Sequence, residues 1–207
     1  MTAGRDLIMI AASYLLGCFT SGYYLVRWRT GQDIRREGSR SAGATNVGRS
    51  LGRVGFLLTF FIDFAKGAFA VWMAVQFDLS PFAISLVLLA VILGHIYPIQ
   101  LAFGGGKGIA TSLGALLVFD WRAALILFAL FLPFYGLFRR FTLSGLLAYA
   151  LLPLAVYFFD RDLSKAACLS LLAGLILLAH RTNIREEIAR MLVRRQEKAQ
   201  PYNQNAS

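Results

Sequence analysis

Three short segments carry most of the side chains that could handle a charged substrate. The first is Glu37-Gly-Ser-Arg-Ser-Ala-Gly-Ala-Thr-Asn-Val-Gly-Arg49. Its small residues let backbone N–H groups approach an anion closely, and arginine presents a planar fork that fits phosphate oxygens. A helix opening near Val47 would add the positive end of its dipole. An arginine-rich loop with ordinary capping residues is the plainer alternative. The second segment is Phe103-Gly-Gly-Gly-Lys-Gly-Ile-Ala-Thr111. It is not a nucleotide P-loop, because Leu101 stands where the first glycine belongs and Gly108 follows the lysine. Four glycines and Lys107 ahead of a helix from Ile109 still suit phosphate oxygens; a structural hinge would not require the lysine. The third is His180-Arg-Thr-Asn-Ile-Arg185, where helical spacing sets His180 beside Asn183 and Arg181 one turn from Arg185. Arginines snorkelling at a membrane surface would explain those charges, though not the His and Asn.

What accompanies these segments narrows the chemistry. No Ser-His-Asp set is visible, and Cys18 and Cys168 lie in apolar runs without metal-like spacing. Asp33, Glu37, Glu186, Glu187 and Glu197 do not converge as metal ligands would, so neither metal nor cofactor is expected. Positioning and electrostatic stabilisation of an already activated, phosphorylated substrate remain. Asp63 and Lys66 stand i,i+3 in an apolar run, either as a buried structural pair or as functional groups. His95, in Gly94-His-Ile-Tyr-Pro98, either lines the same pocket or is a satisfied core histidine. The hydroxyls of Thr20, Ser21, Thr142 and Ser144 could equally make interhelical hydrogen bonds.

The elements that must position these groups are membrane spans. The chain has 207 residues, of which 57% are hydrophobic and 15% charged, with a formal net charge of +10. That composition excludes a disordered basic tail, and the long Leu/Phe/Ala runs exclude a soluble nucleic-acid binder. A bilayer core needs about 20 apolar residues per helix, which places spans at Leu7–Val26, Val54–Val75, Phe82–Gln100, Ala123–Phe138, Leu143–Phe159 and Ser164–Ala179. Ile109–Phe119 is shorter, and serves as a seventh segment if it starts from a re-entrant loop. Arg5 precedes the first run without a small-x-small cleavage site, so no removable signal sequence is expected.

Seven segments put Arg27 to Arg53, Lys107, Arg139, Arg140 and the cations from Arg181 to Lys198 on one side, sixteen Lys and Arg in all. Arg5, Arg122, Arg161 and Lys165 fall on the other. The richer side is expected to be cytoplasmic, with the N-terminus outside, the C-terminus inside and all three polar segments on the cytoplasmic face. The expected fold is an all-α integral membrane protein of seven transmembrane helices, one domain over 1–198, with a polar, disordered tail over 199–207.

The ordered motifs Gly43-Ala-Thr-Asn-Val-x-Arg49, Asp63-x-x-Lys-Gly67, Gly94-His-x-Tyr-Pro98, Gly105-Gly-Lys-Gly-Ile-Ala-Thr111 and His180-Arg-x-Asn-Ile184 resemble the bacterial acyl-phosphate-dependent glycerol-3-phosphate acyltransferase family, PlsY. The resemblance runs from Gly17 to Lys198. It implies a multi-pass plasma-membrane (inner-membrane) enzyme that transfers a fatty acyl group from acyl phosphate to the 1-hydroxyl of glycerol 3-phosphate. The products would be lysophosphatidic acid and phosphate, on the route to phospholipids. By resemblance, Ser39, Arg49, Lys107, His180 and Asn183 match active-site positions. Arg49 and Lys107 would bind phosphate with Ser39 as a partner, while His180 and Asn183 would orient the acceptor. Gly104, Gly105, Gly106 and Gly108 would cradle the acyl-phosphate head group, with Thr45, Asn46, His95, Thr142, Ser144 and Arg181 as further substrate contacts. Glu197 matches a family glutamate with a structural role. The expected partners are the two substrates and membrane lipids, with no nucleic acid, and the protein is expected to be monomeric.

One departure stands out. Where the family commonly reads Gly-Ser-Gly-Asn-Pro-Gly, this chain has Gly38-Ser-Arg-Ser-Ala-Gly43. A loop that needs positive φ at Arg40 would be strained there. The alternative function, a transporter of a phosphorylated solute, would call for an internal repeat and a polar path to the outer side. Neither is visible.

Overall fold

The apolar runs fold as helices whose ends follow the polar residues between them. The computed structural model describes residues 2–186 and 189, and no strand occurs among them. In chain order the helices are α1 (Thr2–Cys18), α2 (Ser21–Thr30), α3 (Ala44–Gln76), α4 (Pro81–Ile96), α5 (Ile109–Phe119), α6 (Trp121–Phe138), α7 (Phe141–Asp160) and α8 (Leu163–Ala179). Helical backbone resumes over 181–186. Ser80, Asp120 and Asp162 cap α4, α6 and α8 by accepting from first-turn N–H groups. Arg139 and Arg161 end α6 and α7 in the left-handed region, a stop more often taken by glycine. Glu197 and the tail from Ala199 lie outside the described residues.

Five stretches are long and apolar enough to cross a membrane: Ala3–Thr30, Ala44–Gln76, Pro81–Leu101, Trp121–Phe138 and Phe141–Asp160. The helices α5 and α8 are apolar but shorter, at 11 and 17 residues. The short segment expected at Ile109–Phe119 coincides with α5.

Three breaks interrupt the helical runs, two of them inside expected spans and one, at Gly52, just ahead of the span expected from Val54. The first span does not run unbroken from Leu7 to Val26, because α1 stops at Cys18 and Thr20 is extended (φ −95°, ψ 90°) before α2 begins. The break strands three carbonyls in an apolar setting, where each needs a partner. Lys66 Nζ reaches those of Gly17 and Phe19 at 3.1 and 2.6 Å, and Gln100 Nε2 reaches that of Cys18 at 2.6 Å. In α3, Gly52 adopts φ 70°, ψ −166° and separates Ala44–Leu51 from the long span; this conformation belongs to glycine. In the third span the α-helix stops at Ile96, because Pro98 disfavours helix at Tyr97, and the stretch finishes in a short 3-10 turn over Ile99–Leu101.

In the packing, α1 lies on α4, α3 lies on α5, and α7 lies between α6 and α8. Leu88, Ile92, Leu116, Leu152, Leu172 and Ile176 are fully buried between them. Both close pairs use glycine where backbones meet. A side-chain carbon at Gly94 would strike the Tyr14 carbonyl, and one at Gly67 the Thr111 carbonyl. Outside, Phe82, Leu137, Phe159 and Leu163 are about 70% exposed (70–73%), which suits lipid better than water. Where α5 ends, Lys165 bridges Asp120 at 2.7 Å and Asp160 at 2.6 Å. The glycine segment lies at the opposite end of α5.

Candidate active site

Asn46, in the first turn of α3, organises the first polar segment. Its amide nitrogen donates to the carbonyls of Ile34, Glu37 and Ser41 at 3.2, 3.0 and 2.9 Å, and its oxygen accepts from the Ser39 N–H at 2.9 Å. With both ends engaged and only 2% of the residue exposed, Asn46 holds the loop, and it also lines the central cavity described below. Arg40 sits at φ 55°, the strained conformation the sequence foreshadowed. Two links tie this loop to the glycine segment: Ala42 N–H donates to the Gly105 carbonyl at 3.1 Å, and Arg35 donates to the Leu101 carbonyl at 2.6 Å. Arg35 is itself held by Asp33 at 2.7 Å and lies over the Tyr23 ring.

The glycine segment is built differently from the expected cradle. The N–H groups of Gly104, Gly105 and Gly106 donate to the carbonyls of Leu101, Ile96 and His95 at 3.1, 3.1 and 3.0 Å. They are therefore not aimed at an anion. The glycines are needed for close approach: a side-chain carbon at Gly105 would sit 2.6 Å from Pro98 Cδ, and one at Gly106 would enter the His95 ring. The available donors lie one step later. Gly108, at φ 85°, caps α5, and the N–H groups opening that helix have no earlier helical carbonyl to reach.

From the third segment, Lys107 Nζ donates to Asn183 Oδ1, joining the glycine segment to the end of α8. His180, 3% exposed, directs Nδ1 at the Ile176 carbonyl at 2.8 Å. Nδ1 therefore carries the proton and Nε2 keeps a lone pair. Burial pushes the His180 imidazole down to about 4, helped by the positive charge of Lys107 and opposed by the Ile176 hydrogen bond. At neutral pH it is an acceptor, not a cation. Burial also lowers the Lys107 ammonium from its usual range, with Arg49 pushing the same way and Glu186 opposing.

These groups meet around a cavity of about 160 Å³. Ser39, Ser41, Thr45, Arg49, Gly108, Thr142, Lys107, His180 and Asn183 form its polar lining, and Phe56, Phe60, Leu113 and Phe141 form an apolar wall. Asp63 and His95 also face it, both buried. A polar cavity of about 540 Å³ shares Ser39, Ser41 and Lys107 and adds Arg40, Gly104, Gly105, Gly106, Arg181 and Glu186. A third, of about 450 Å³, shares Thr45, Arg49 and Phe56 and continues along Gly52 and Leu57. The central cavity thus has a polar neighbour and an apolar one.

Of the expected contacts, Ser144 is not brought to this cavity. Its hydroxyl, fully buried, donates to the Arg140 carbonyl at 2.8 Å. Ser41 and the aromatic wall were missed; Phe56 and Phe60 at i,i+4 carried a signal, but apolar spans are full of such pairs. Among the described residues, no three His, Cys, Asp or Glu side chains gather where they could hold a metal ion.

An all-helical bundle with exposed apolar sides, five membrane-length apolar stretches and a cavity lined by Arg49 and Lys107 at one end defines an integral membrane protein. The family model described as glycerol-3-phosphate acyltransferase matches residues 7–190, and the chain belongs to that family. A glycerol-3-phosphate acyltransferase 1 from Desulfitobacterium hafniense (strain Y51) is 47% identical over 191 residues, covering 92% of this chain and 94% of the relative. One from Bacillus cereus (strain ATCC 10987 / NRS 248) is 40% identical over 181 residues, covering 87% and 100%. The crystal structure of PlsY (YgiH), an integral membrane glycerol 3-phosphate acyltransferase, in its glycerol 3-phosphate form, is similar with a TM-score of 0.82 at 32% identity, covering 89% of this chain and 92% of that one.

Proposed function

We propose that the protein transfers a fatty acyl group from acyl phosphate to the 1-hydroxyl of glycerol 3-phosphate, giving lysophosphatidic acid and inorganic phosphate for phospholipid synthesis. One observation carries this: Arg49, Lys107, His180 and Asn183, from three separate segments, line one cavity whose remaining wall is aromatic and aliphatic. Cations and helix-opening N–H groups suit two phosphate groups, and the apolar wall suits a chain. The acceptor oxygen attacks the acyl carbonyl carbon, and the bond from that carbon to the phosphate oxygen breaks. Phosphate leaves with the electron pair, and the hydroxyl proton ends on the departing phosphate. Such a leaving group needs no protein nucleophile. The roles assigned are positional: Arg49 and Lys107 hold phosphate, Ser39 and Thr142 offer hydroxyls, and the free Nε2 lone pair of His180 accepts from the attacking hydroxyl while Asn183 fixes Lys107.

In this reading seven segments cross the bacterial plasma membrane, the N-terminus is outside, and the motif loops face the cytoplasm where glycerol 3-phosphate is dissolved. The charge asymmetry supports that orientation. The functional unit in this reading is a monomer. The test is phosphate release by the purified protein given glycerol 3-phosphate and either acyl phosphate or acyl-CoA. Release from acyl phosphate alone is expected; none from acyl phosphates of several chain lengths rules the reaction out.

A further inference from the structure

The chain has two histidines, and their surroundings protonate them on opposite nitrogens. His180 gives its Nδ1 proton to Ile176 at 2.8 Å. His95 is the reverse case. Its Nδ1 stands 2.9 Å from Lys66 Nζ, and an ammonium has three donors and no lone pair to offer. Two of those donors point to the Gly17 and Phe19 carbonyls. The remaining one is shared between Asp63 Oδ1 at 3.0 Å and His95 Nδ1. Asp63 is held in turn by Ser21 Oγ, also at 3.0 Å. Nδ1 of His95 must therefore accept, and its proton sits on Nε2. That nitrogen has no hydrogen-bond partner among the described residues. It packs against Gly106, where a side-chain carbon would strike the ring, beside Lys107, and the ring lines the central cavity.

We propose that His95 is a hydrogen-bond donor to an anionic phosphoryl oxygen of the bound substrate, and that Lys66 and Asp63 are positioning residues that fix its tautomer. The inference rests on the acyl transfer proposed above. It explains why a costly buried trio of ionisable groups lies beneath the glycine segment, and it divides labour between the rings. One imidazole accepts from the hydroxyl that attacks; the other donates to the phosphate.

The test uses intact protein labelled with ¹⁵N-histidine, in which two-bond proton–nitrogen correlations show which nitrogen of each ring is protonated. His180→Gln removes one of the two patterns and so assigns them. The expected result is Nε2–H for His95 and Nδ1–H for His180. A proton on Nδ1 of His95 overturns the proposal without any His95 variant having to fold. The His95 Nε2–H signal should move when glycerol 3-phosphate or a non-hydrolysable acyl phosphonate is added, and the ligand that moves it names the phosphate held. Movement with neither overturns the proposal. In the phosphate-release assay, His95→Phe should lower kcat/KM about 10- to 100-fold, as loss of a donor to a charged group does. His95→Gln, which keeps a donor, should recover most of it, a rescue that a merely space-filling role would not give. A wild-type enzyme that releases no phosphate fails the reaction itself; an active wild type with an equally active His95→Phe fails only this inference.

Discussion

Lys107 and Arg49 stand where the central cavity joins its polar and apolar neighbours, so their removal should cut catalysis while sparing the fold. Lys107→Ala and Arg49→Ala are each expected to lower phosphate release about 10- to 100-fold, the range for hydrogen bonds to charged groups, with unchanged melting in detergent. His180 makes a prediction of different sign. Its folded value of about 4 lies below the roughly 6.5 of an unfolded chain. Between those values the unfolded chain binds the extra proton, so stability falls as pH drops through that window. Melting from pH 7 to pH 4 should show the wild type losing more than His180→Gln; parallel losses would contradict a buried neutral imidazole. At Arg40, φ 55° makes Arg40→Gly a stabilising change of about 0.5–1 kcal/mol, read as a raised melting midpoint.

Among the elements, glycines should divide by what surrounds them. Gly94→Ala forces a carbon against the Tyr14 carbonyl where α1 meets α4, and overpacking of this kind costs about 1–3 kcal/mol. Gly174→Ala meets open space in α8 and should gain about 0.5–1 kcal/mol from helix propensity. Thermal melts of the two variants are expected to move in opposite directions. The limits of sequence reading also lie at this scale. The start and end of α5 were legible because Gly108 and Asp120 bracket an unbroken apolar run. The break after Cys18 was not, because Phe19 to Val26 reads as continued span and the lysine that completes the break is far along the chain. The expected glycine cradle failed for a related reason. Composition shows that a backbone can approach closely, but not which carbonyls already occupy its N–H groups. Arg49 and Lys107 stood out as cations in segments of small residues, and His180 and Asn183 by their helical spacing, whereas Ser39 entered only through the resemblance to the family. The side chains of Asn46 and Ser144 donate to backbone carbonyls, which no residue pattern reveals.

For the whole molecule, the decisive property is that one end holds the polar segments and the other holds the Asp120–Lys165–Asp160 cluster. Cys18 and Cys168 are both buried, so an introduced cysteine can be read against a quiet background. In intact cells, Gln32→Cys should resist a membrane-impermeant thiol reagent while Arg122→Cys reacts; the reverse pattern would invert the proposed orientation. That one-ended architecture also bears on the membrane as a material. If every acceptor is acylated at a single end, each turnover adds a tail to the same monolayer. New lipid then accumulates as area on one face of the sheet, and the resulting curvature stress persists until some other process carries half of the material across.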